Sequence, residues 1–363
     1  MGCCEATNPN LIGVQSPRGG TPAWRDDGVT LDRRTAVKGM MAAAGALALT
    51  SCGPAEQRGL TQVRLAFCGQ LLCVVPYEVT RARGHFEDEG LSVELVYTRG
   101  GNAAMQALVG GAVEFAGTSF DVALQAAANG AGIVRFASTG RLPLFALAVA
   151  PGRAADLLEV ADLAGATVGI SGLGNADHAL LLYLLDQAGV DPAQVRFAAI
   201  GTNLYDALRI GQVDAAMVQE PALSLVVEAG GRELVNFMEL EQARAQLGGA
   251  YEFMGVSVRA AEREQRRDEM RRLAAALARG LQDTRTIPPD EIIAALPEAL
   301  LAGSDTAQLR EILERYRTSL YAEGVAIDVA AAERVARAHE IADLLEPGEV
   351  DLRTLLDTSV LGA

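Results

Sequence analysis

Two stretches of the sequence, GNAAMQALVGGAVEFA at residues 101–116 and GTNLYDALRIGQVDAA at residues 201–216, share one pattern. Each starts with a Gly loop, passes an Ala-Leu pair suited to a helix, and reaches a second Gly before an apolar run. A Gly at that second place ends a helix in the left-handed conformation, and the apolar run is typical of a buried strand. A generic α/β turn is the alternative interpretation, because Gly and Asp suit such turns in any case. The pattern predicts two similar α/β units in one chain.

The segments around these stretches alternate between strand and helix patterns. Upstream, a β-rich run at 63–67 precedes a helical segment at 76–83, where Pro76 suits the first helical turn. Further strands are expected at 92–97, 113–117, 133–137, 144–150, 167–170, 195–199, 215–218, 233–237 and 254–258. Helical segments follow at 261–286, 289–296, 306–321 and 329–345. This order predicts an α/β fold with a mainly parallel sheet and extra C-terminal helices.

The composition limits the function classes. A length of 363 residues suggests about two domains. The formal net charge of −15 argues against nucleic acid and against a polybasic hold on an anionic membrane, since both need clustered Lys and Arg. The five cysteines, at positions 3, 4, 52, 68 and 73, and the three widely spaced histidines lack metal-ligand spacing. We therefore expect no metal site and no cofactor.

Residues 1–52 predict an export signal instead of a folded domain. The pair Arg33-Arg34 precedes an apolar run at residues 39–50, which is shorter than the roughly 20 residues that span a bilayer. It suits the apolar region of a secretory signal, about 7–15 residues behind a positive segment. The arginine pair resembles a twin-arginine signal, although Thr35 and Ala36 stand where a bulky residue is usual. Export through either the Tat or the Sec route fits this segment.

The end of the apolar run resembles a bacterial lipobox. Leu49-Thr50-Ser51 precedes Cys52, and a polar, Pro-containing tether at residues 53–61 follows it. In such a motif the cysteine receives lipid and becomes the new N-terminus. The alternative is an ordinary signal peptide with a chance cysteine. We expect Cys52 to be lipidated and the mature chain to sit on the outer face of the cytoplasmic membrane or in the periplasm.

The order and spacing of several motifs resemble the NMT1/THI5-like family of nitrate-, sulfonate- and taurine-type binding proteins. The resemblance covers roughly residues 62–237. Its motifs are RGHFEDEGLSVEL at 83–95, GG at 100–101, AL at 107–108, EF at 114–115, DLAG at 162–165, VGI at 168–170, GQVDA at 211–215 and EP at 220–221.

The resemblance implies the type 2 periplasmic-binding-protein fold, in which two α/β lobes close around a ligand cleft. Lobe I would comprise residues 62–150 and 252–363, and lobe II residues 151–251, with crossovers near Ala150–Arg153 and Phe237–Tyr251. The C-terminal helices would pack on lobe I. The implied function is capture of a small polar organic molecule, namely a sulfonate, another small anion or a pyrimidine-like compound. The partners would be an ABC permease and its ATPase.

Ligands of open α/β sheets bind at the carboxyl ends of strands, so the candidate contacts are residues that follow strands. For most of them a structural role stays open: hydroxyls at 118 and 119 also suit a helix cap, Asn175 suits a cap, and Glu220 suits an ion pair with a protein Arg. The expected ligand contacts are Gln70, Asn102, Thr118, Ser119, Arg141, Ser171, Gly174, Asn175, Thr202, Glu220 and Tyr251.

The sequence leaves the roles of three further side chains open. Cys68 and Cys73 flank the loop that contains Gln70, and they form either a disulfide in an oxidising compartment or two buried thiols. His178 follows the Gly-rich loop and suits capping or packing better than ligand contact. Neither feature by itself defines a site.

An enzyme on the same fold is the main alternative to a binding protein. The resemblance implies that a THI5-like enzyme would have a Cys-rich stretch and a histidine. Here that stretch is absent, since GQLL separates Cys68 from Cys73. No acid–base pair can be aligned, so the sequence favours a protein without catalytic activity. A ligand-sensing lipoprotein that uses the same cleft is the other alternative.

Overall fold

The computed structural model describes residues 59–69, 71–301 and 305–360. Their strands form two five-stranded sheets. The strands of the first sheet are β1 (Thr61–Cys68), β2 (Leu91–Thr98), β3 (Phe115–Ser119), β4 (Ile133–Ser138) and β10 (Met254–Arg259). Those of the second are β5 (Ala146–Val149), β6 (Thr167–Ile170), β7 (Arg196–Ala199), β8 (Ala215–Val218) and β9 (Arg232–Asn236).

The two sheets have equivalent topologies. The first has the order β2-β1-β3-β10-β4 and the second β7-β6-β8-β5-β9. In each, three neighbouring strands run parallel and the fourth runs antiparallel to both of its neighbours. Each sheet therefore gathers the carboxyl ends of three parallel strands at one edge, which is where α/β proteins bind ligands.

Fourteen α-helices lie in the described residues. They are α1 (Leu71–Ala82), α2 (His85–Asp88), α3 (Gly101–Val109), α4 (Phe120–Ala128), α5 (Ala176–Gln187), α6 (Leu204–Arg209), α7 (Ala222–Glu228), α8 (Leu240–Leu247), α9 (Arg267–Thr286), α10 (Pro289–Ala295), α11 (Glu298–Leu301), α12 (Thr306–Leu320), α13 (Val329–Ile341) and α14 (Leu352–Leu355). Helix α9 packs on α1, and α13 contacts both α4 and α5. None of these helices is both long and apolar enough to cross a bilayer.

The predicted repeat is confirmed. Residues 101–116 form α3 and enter β3, and residues 201–216 form the shorter α6 and enter β8. The glycines that end the two helices, Gly111 and Gly211, have φ values of +77° and +71°. A side chain at either position would be strained in this left-handed conformation, which explains the glycine in both copies.

The predicted start of the first helix is wrong. Helix α1 begins at Leu71, so Pro76 lies inside it and not in its first turn. Proline lacks the N–H that would bond to the carbonyl four residues earlier. That carbonyl, on Leu72, instead accepts a hydrogen bond of 2.8 Å from the buried hydroxyl of Tyr321. A distant side chain thus replaces the missing bond, which no local pattern reveals.

The first passage between the sheets also differs from the expectation. Residues Ala146–Val149 were expected in lobe I, but they pair antiparallel with β8 and β9 of the second sheet. The chain therefore leaves the first sheet between Ser138 and Ala146, before the expected crossover at Ala150–Arg153. It returns between Asn236 and Met254, which includes the second expected crossover. Local residue preferences predict that a segment forms a strand, but the sheet to which the strand belongs depends on its pairing in the tertiary structure.

Candidate ligand-binding cleft

A cavity of about 80 Å³ lies between the facing edges of the two sheets. The carboxyl ends of strands from both sheets reach it through Cys68, Thr118, Ser119, Ser171 and Gln219. The first residues of α3 and α5 and the loop before α6 also line it. A second cavity, of about 350 Å³, shares four of these lining residues, so the two form one cleft: Phe145, Ser171, Thr202 and Gln219.

The sequence analysis expected five residues that do line this cavity. They are Thr118 and Ser119 from the first sheet, and Ser171, Asn175 and Thr202 from the second. Ser119 also caps α4, since its hydroxyl accepts a hydrogen bond of 3.4 Å from the Val122 N–H. Both interpretations of this serine are therefore compatible with its position.

A chain of side-chain hydrogen bonds crosses the cleft. The Asn102 amide at the start of α3 donates to Asn175 Oδ1 at 2.6 Å, and the Asn175 amide donates to Ser171 Oγ at 2.9 Å. The Ser171 hydroxyl donates in turn to Asp177 Oδ1 at 2.7 Å. Asn175 makes no side-chain cap on α5. Asn102 and Asn175, expected to contact ligand, thus contact each other and connect the two sheets.

Burial shifts the pKa values of two groups next to this series of hydrogen bonds, Asp177 and His178. Burial raises the pKa of the Asp177 carboxyl to about 6, although hydrogen bonds from Ser171 favour its charged form. Burial also lowers the pKa of His178 to about 4, so its ring is neutral at pH 7. Its Nδ1 accepts a hydrogen bond of 3.2 Å from the Gly174 N–H. Gly174 was expected to offer that N–H to a ligand, and this expectation is corrected.

A buried arginine supports the wall formed by the first sheet. Arg135 on β4 has no exposed surface, and its guanidinium donates to the Thr118 carbonyl at 2.8 Å and to the Phe253 carbonyl at 3.0 Å. Both of these residues line the cavity. Its nearest carboxylate, on Glu252, lies 3.9 Å away. Arg135 therefore fixes two backbone segments that face the cleft without lining it.

Cys68 and Cys73 form a disulfide in the cavity wall. It connects the end of β1 to the first turn of α1. Of the two possibilities left open by the sequence, the structure has the bonded pair. Gln70, in the loop between them, lies outside the described residues, as does Cys52.

Two expected contacts lie elsewhere. Arg141 donates to the carbonyls of Ser319 at 2.9 Å and Thr318 at 2.7 Å, so it caps the C-terminal end of α12. The buried hydroxyl of Tyr251 donates to Asp121 Oδ1 at 2.8 Å, away from the cavity surface. Both residues bond to partners that are far away in sequence, and neither lines the cavity.

Glu220 lines the second cavity but is engaged by its own helix. Its two carboxylate oxygens accept hydrogen bonds of 3.0 Å from the N–H and the hydroxyl of Ser224. Burial raises the pKa of this carboxyl, against the effect of those bonds. Glu220 was expected to contact the ligand, with an ion pair to a protein arginine as the alternative; here its carboxylate instead pairs with Ser224, which lies one helical turn away.

The cavity contains residues that the sequence analysis did not select. Arg99, after β2, is exposed and is the only charged side chain among the described residues that line the cavity. Gln219 directly follows β8 and is equivalent in the repeat to Ser119, the last residue of β3, so the repeat predicts its position once the two copies are aligned. Phe145 and Phe253 meet edge to face with ring centres 6.0 Å apart. They come from the two passages between the sheets, and only the tertiary structure brings them together.

The described residues contain no cluster of three or more His, Cys, Asp or Glu side chains that could hold a metal ion.

The described residues contain a buried Asp–His pair, in which His339 Nε2 lies 3.0 Å from Asp121 Oδ1. Both side chains are fully buried, and neither lines the cavity. This pair is therefore not accessible to a ligand in the cleft.

Comparison with known proteins gives a family and a fold. The sequence profile described as NMT1/THI5 like matches residues 74–291. No curated protein sequence is significantly similar to the chain. A solved structure from Bordetella bronchiseptica RB50 is 24% identical with a TM-score of 0.75, and the match covers 84% of this chain and 96% of that chain.

Two further similar structures are of proteins that bind ligands. The ligand-binding component of an ABC-type import system from Staphylococcus aureus is 12% identical, with a TM-score of 0.66 over 83% of this chain and 97% of that chain. The periplasmic aliphatic sulphonate binding protein of Escherichia coli is 20% identical, with a TM-score of 0.63 over 81% and 96%. At these identities the likeness establishes the fold, which is that of type 2 periplasmic binding proteins, as the motifs predicted.

Proposed function

The chain belongs to the NMT1/THI5-like family of ABC transporter solute-binding proteins, and from this premise we propose that it captures a small anion between two closing lobes and delivers it to an ABC importer. The observation that carries the proposal is the chemistry of the cavity. The described lining of the smaller cavity contains hydroxyls, amides, helix N-termini and one arginine, and it contains no carboxylate. Such a surface offers donors to an anion and no countercharge to a cation. Glu220 lines the second part of the cleft, but it accepts two hydrogen bonds from Ser224, and burial disfavours its charged form.

The electrostatics of the cleft support an anion within an acidic protein. Arg99 supplies a full positive charge, and a guanidinium can donate two parallel hydrogen bonds to a planar or tetrahedral oxyanion. The N-termini of α3, α4 and α5 add partial positive charge at Gly101, Ser119 and Ala176. The net charge of −15 is spread over the whole chain, and charges beyond about 8 Å are largely screened at physiological salt.

The name of one structural neighbour supports this ligand class. The Escherichia coli structure is an aliphatic sulphonate binding protein, and a sulfonate has the three oxygen acceptors that this cavity can satisfy. The volumes of the two parts of the cleft, about 80 Å³ and about 350 Å³, favour a small molecule. A sulfonate or another small organic anion is therefore the proposed ligand, ahead of a pyrimidine-like compound.

The two lobes are proposed to correspond to the two sheets. With the first passage corrected, lobe I contains β1–β4, β10 and the C-terminal helices, and lobe II contains β5–β9. The contact between Phe145 and Phe253 supports a hinge beside the cavity, because the two residues come from the two passages and both line the cavity. Lobe closure would then present the ligand to the permease in a defined conformation.

Export as a lipoprotein rests on the sequence of residues 1–52. The lipobox ending at Cys52 and the tether after it would hold the binding lobes near the importer. Mass spectrometry of the mature N-terminus from a bacterial membrane fraction is expected to show an acylated Cys52. An unmodified mature chain that begins at another residue would overturn this part of the proposal.

A binding role is favoured over catalysis because the smaller cavity has no His and no carboxylate in its described lining to act as a general acid or base. The carboxylate of the second cavity, Glu220, accepts two hydrogen bonds from Ser224. The two cysteines in the wall are joined as a disulfide, so neither is a thiolate nucleophile. Incubation with bound ligand is expected to leave the ligand chemically unchanged. Turnover that disappears when a cleft residue is replaced would contradict this.

The test is a thermal-shift screen of the mature chain against matched anions and cations. An anion at 100 times its Kd should add about 2.7 kcal/mol to the free energy of unfolding, while cations of similar size should add none. Arg99→Gln should weaken the anion response. The control is Arg353→Gln, since the Arg353 side chain is 91% exposed and pairs with Asp351 outside the cleft. Stabilisation by cations alone would refute the proposal.

A further inference from the structure

The larger cavity of the cleft, of about 350 Å³, differs in chemistry from the smaller one. Apart from Glu220, the described residues that line only the larger cavity have apolar side chains or none. They include Leu71, Leu204, Met217, Pro221, Ala222 and Leu300. Arg99, the charged donor of the cleft, lines only the smaller cavity. The positive charge is therefore at one end of the cleft and the apolar surface at the other.

Several of these apolar side chains keep surface that a ligand can cover. Pro221, Ala222 and Leu300 are half-buried, and Leu204 is 7% exposed. Leu204 begins α6 and Ala222 begins α7, both among the strands of the second sheet, whereas Leu300 lies on α11 among the C-terminal helices. Covering apolar surface from two parts of the molecule with one apolar group is favourable, because it removes that surface from water.

The volumes divide a ligand in the same way. The smaller cavity, of about 80 Å³, lies below the range of about 300–1,000 Å³ that is typical of small-molecule sites, and the larger cavity lies within it. An organic anion therefore needs more space than the smaller cavity offers. Because the two cavities share Phe145, Ser171, Thr202 and Gln219, one molecule can extend from the first into the second.

Glu220 raises the alternative of a ligand with an ammonium group at its far end. This carboxylate is only 4% exposed, and both of its oxygens accept hydrogen bonds from Ser224. Burial raises the pKa of Glu220, which disfavours the charged form that an ammonium group would need. A buried ammonium without a charged partner is costly, so an uncharged apolar group suits this cavity better.

We infer that the larger cavity binds an apolar tail of the captured anion, and that Leu300 on α11 helps to determine the length of tail that is accepted. The inference rests on the proposed function, since Arg99 in the smaller cavity would hold the anionic head group. Leu300 belongs to the C-terminal helices of the proposed lobe I and Leu204 to lobe II. A tail between them contacts both lobes, so its burial favours the closed state.

The experiment measures affinity by calorimetry along a series of sulfonates with tails of increasing length. The probes are methanesulfonate, propane-1-sulfonate and pentane-1-sulfonate. Each added CH₂ should tighten binding about fourfold, the factor that corresponds to burial of one CH₂ group. A second pair has matched shape, because 3-aminopropane-1-sulfonate carries an ammonium group where butane-1-sulfonate ends in a methyl group. Butane-1-sulfonate should bind about 10-fold more tightly.

Variants separate recognition from stability, because the measured quantity is the ratio of pentane-1-sulfonate to methanesulfonate affinity on one protein. Leu300→Gln should lower this ratio by making the wall polar, and Ala222→Phe should lower it by filling the cavity. Leu158→Gln is the matched control for the first variant. Leu158 is 57% exposed and lines neither cavity, so the ratio should stay at its wild-type value.

The outcomes distinguish the inference from the proposed function. A wild-type ratio near one, tighter binding of the ammonium probe than of butane-1-sulfonate, or a ratio that both cavity variants leave unchanged overturns the inference and leaves anion capture standing. Failure of every sulfonate to bind, with the protein folded by circular dichroism, overturns the proposed function and the inference with it.

Discussion

Removing the hydrogen bond between Asn102 and Asn175 should shift the protein towards an open cleft. This bond of 2.6 Å joins α3, which follows a strand of the first sheet, to the residue before α5, which follows a strand of the second. It is a direct contact between the proposed lobes, and both side chains are half-buried. The perturbation is Asn102→Ala, which deletes the donor and leaves the α3 backbone intact.

The magnitude follows from the exposure of the pair. A hydrogen bond between neutral groups contributes about 0.5–1.5 kcal/mol net, and water can reach the half-buried Asn175 oxygen once the donor is gone. A loss of about 1 kcal/mol lowers the equilibrium constant for closure about fivefold. If the two forms are about equally populated without ligand, the closed fraction falls from about one half to about one sixth, and the apparent affinity for a captured anion falls about threefold, because only the closed fraction binds fully.

The assay is a double-mutant cycle on Asn102→Ala and Asn175→Ala. Small-angle X-ray scattering of the ligand-free protein should show a larger radius of gyration for each variant, and calorimetry should show the weaker anion affinity. Because Asn175 also bonds to Ser171, its single variant should cost more than Asn102→Ala. The cycle isolates the shared bond, for which we expect a coupling energy of about 1 kcal/mol.

Asn129→Ala provides the matched control. The Asn129 amide donates to the Gln125 carbonyl at 2.7 Å on an exposed part of α4, away from the cavity. It should change neither the radius of gyration nor the affinity. A coupling energy indistinguishable from zero, or unchanged scattering in both single variants, would refute the role of the pair in closure.

Three other perturbations test packing, protonation and an apparent site residue. Gly280→Ala should destabilise the protein by up to about 2 kcal/mol in chemical denaturation, because the new Cβ would meet Thr80 Cβ at 2.8 Å. Overpacking costs about 1–3 kcal/mol, and the helix-propensity gain of about 1 kcal/mol offsets part of it. Gly152→Ala, with no atom within 4 Å, should be neutral. Burial raises the pKa of Glu252 from 4.5 to about 7. Between pH 4.5 and pH 7 the folded protein therefore keeps a proton on this carboxyl that the unfolded chain has lost, so lower pH favours the folded state. The wild type should therefore gain up to about 3 kcal/mol relative to Glu252→Gln as the pH falls from 8 to 4.5, and parallel pH profiles would contradict this. Arg141→Ala should lower stability by about 1 kcal/mol without changing anion affinity, and a tenfold affinity loss would restore its assignment as a ligand contact.

The sequence by itself determined the local conformation and the family. Gly111 and Gly211 end equivalent helices because side chains disfavour the left-handed backbone conformation there. This requirement depends on a single position, so it can be recognised in the sequence without the tertiary structure. Apolar runs identified β3 and β8 because buried strands need apolar side chains on both faces. The motif order then identified a two-sheet binding fold and placed five polar strand-end residues at the cavity.

Only the tertiary structure decided which side chains meet. Asn102 and Asn175 are 73 positions apart, and Arg141 bonds to carbonyls 177 and 178 positions away. Strand and helix patterns record how each segment folds and which face it buries, but hydrogen-bond partners depend on how separate elements pack. An Asn, Arg or Glu at a strand end therefore looks the same in sequence whether it faces a ligand, a helix terminus or the opposite lobe.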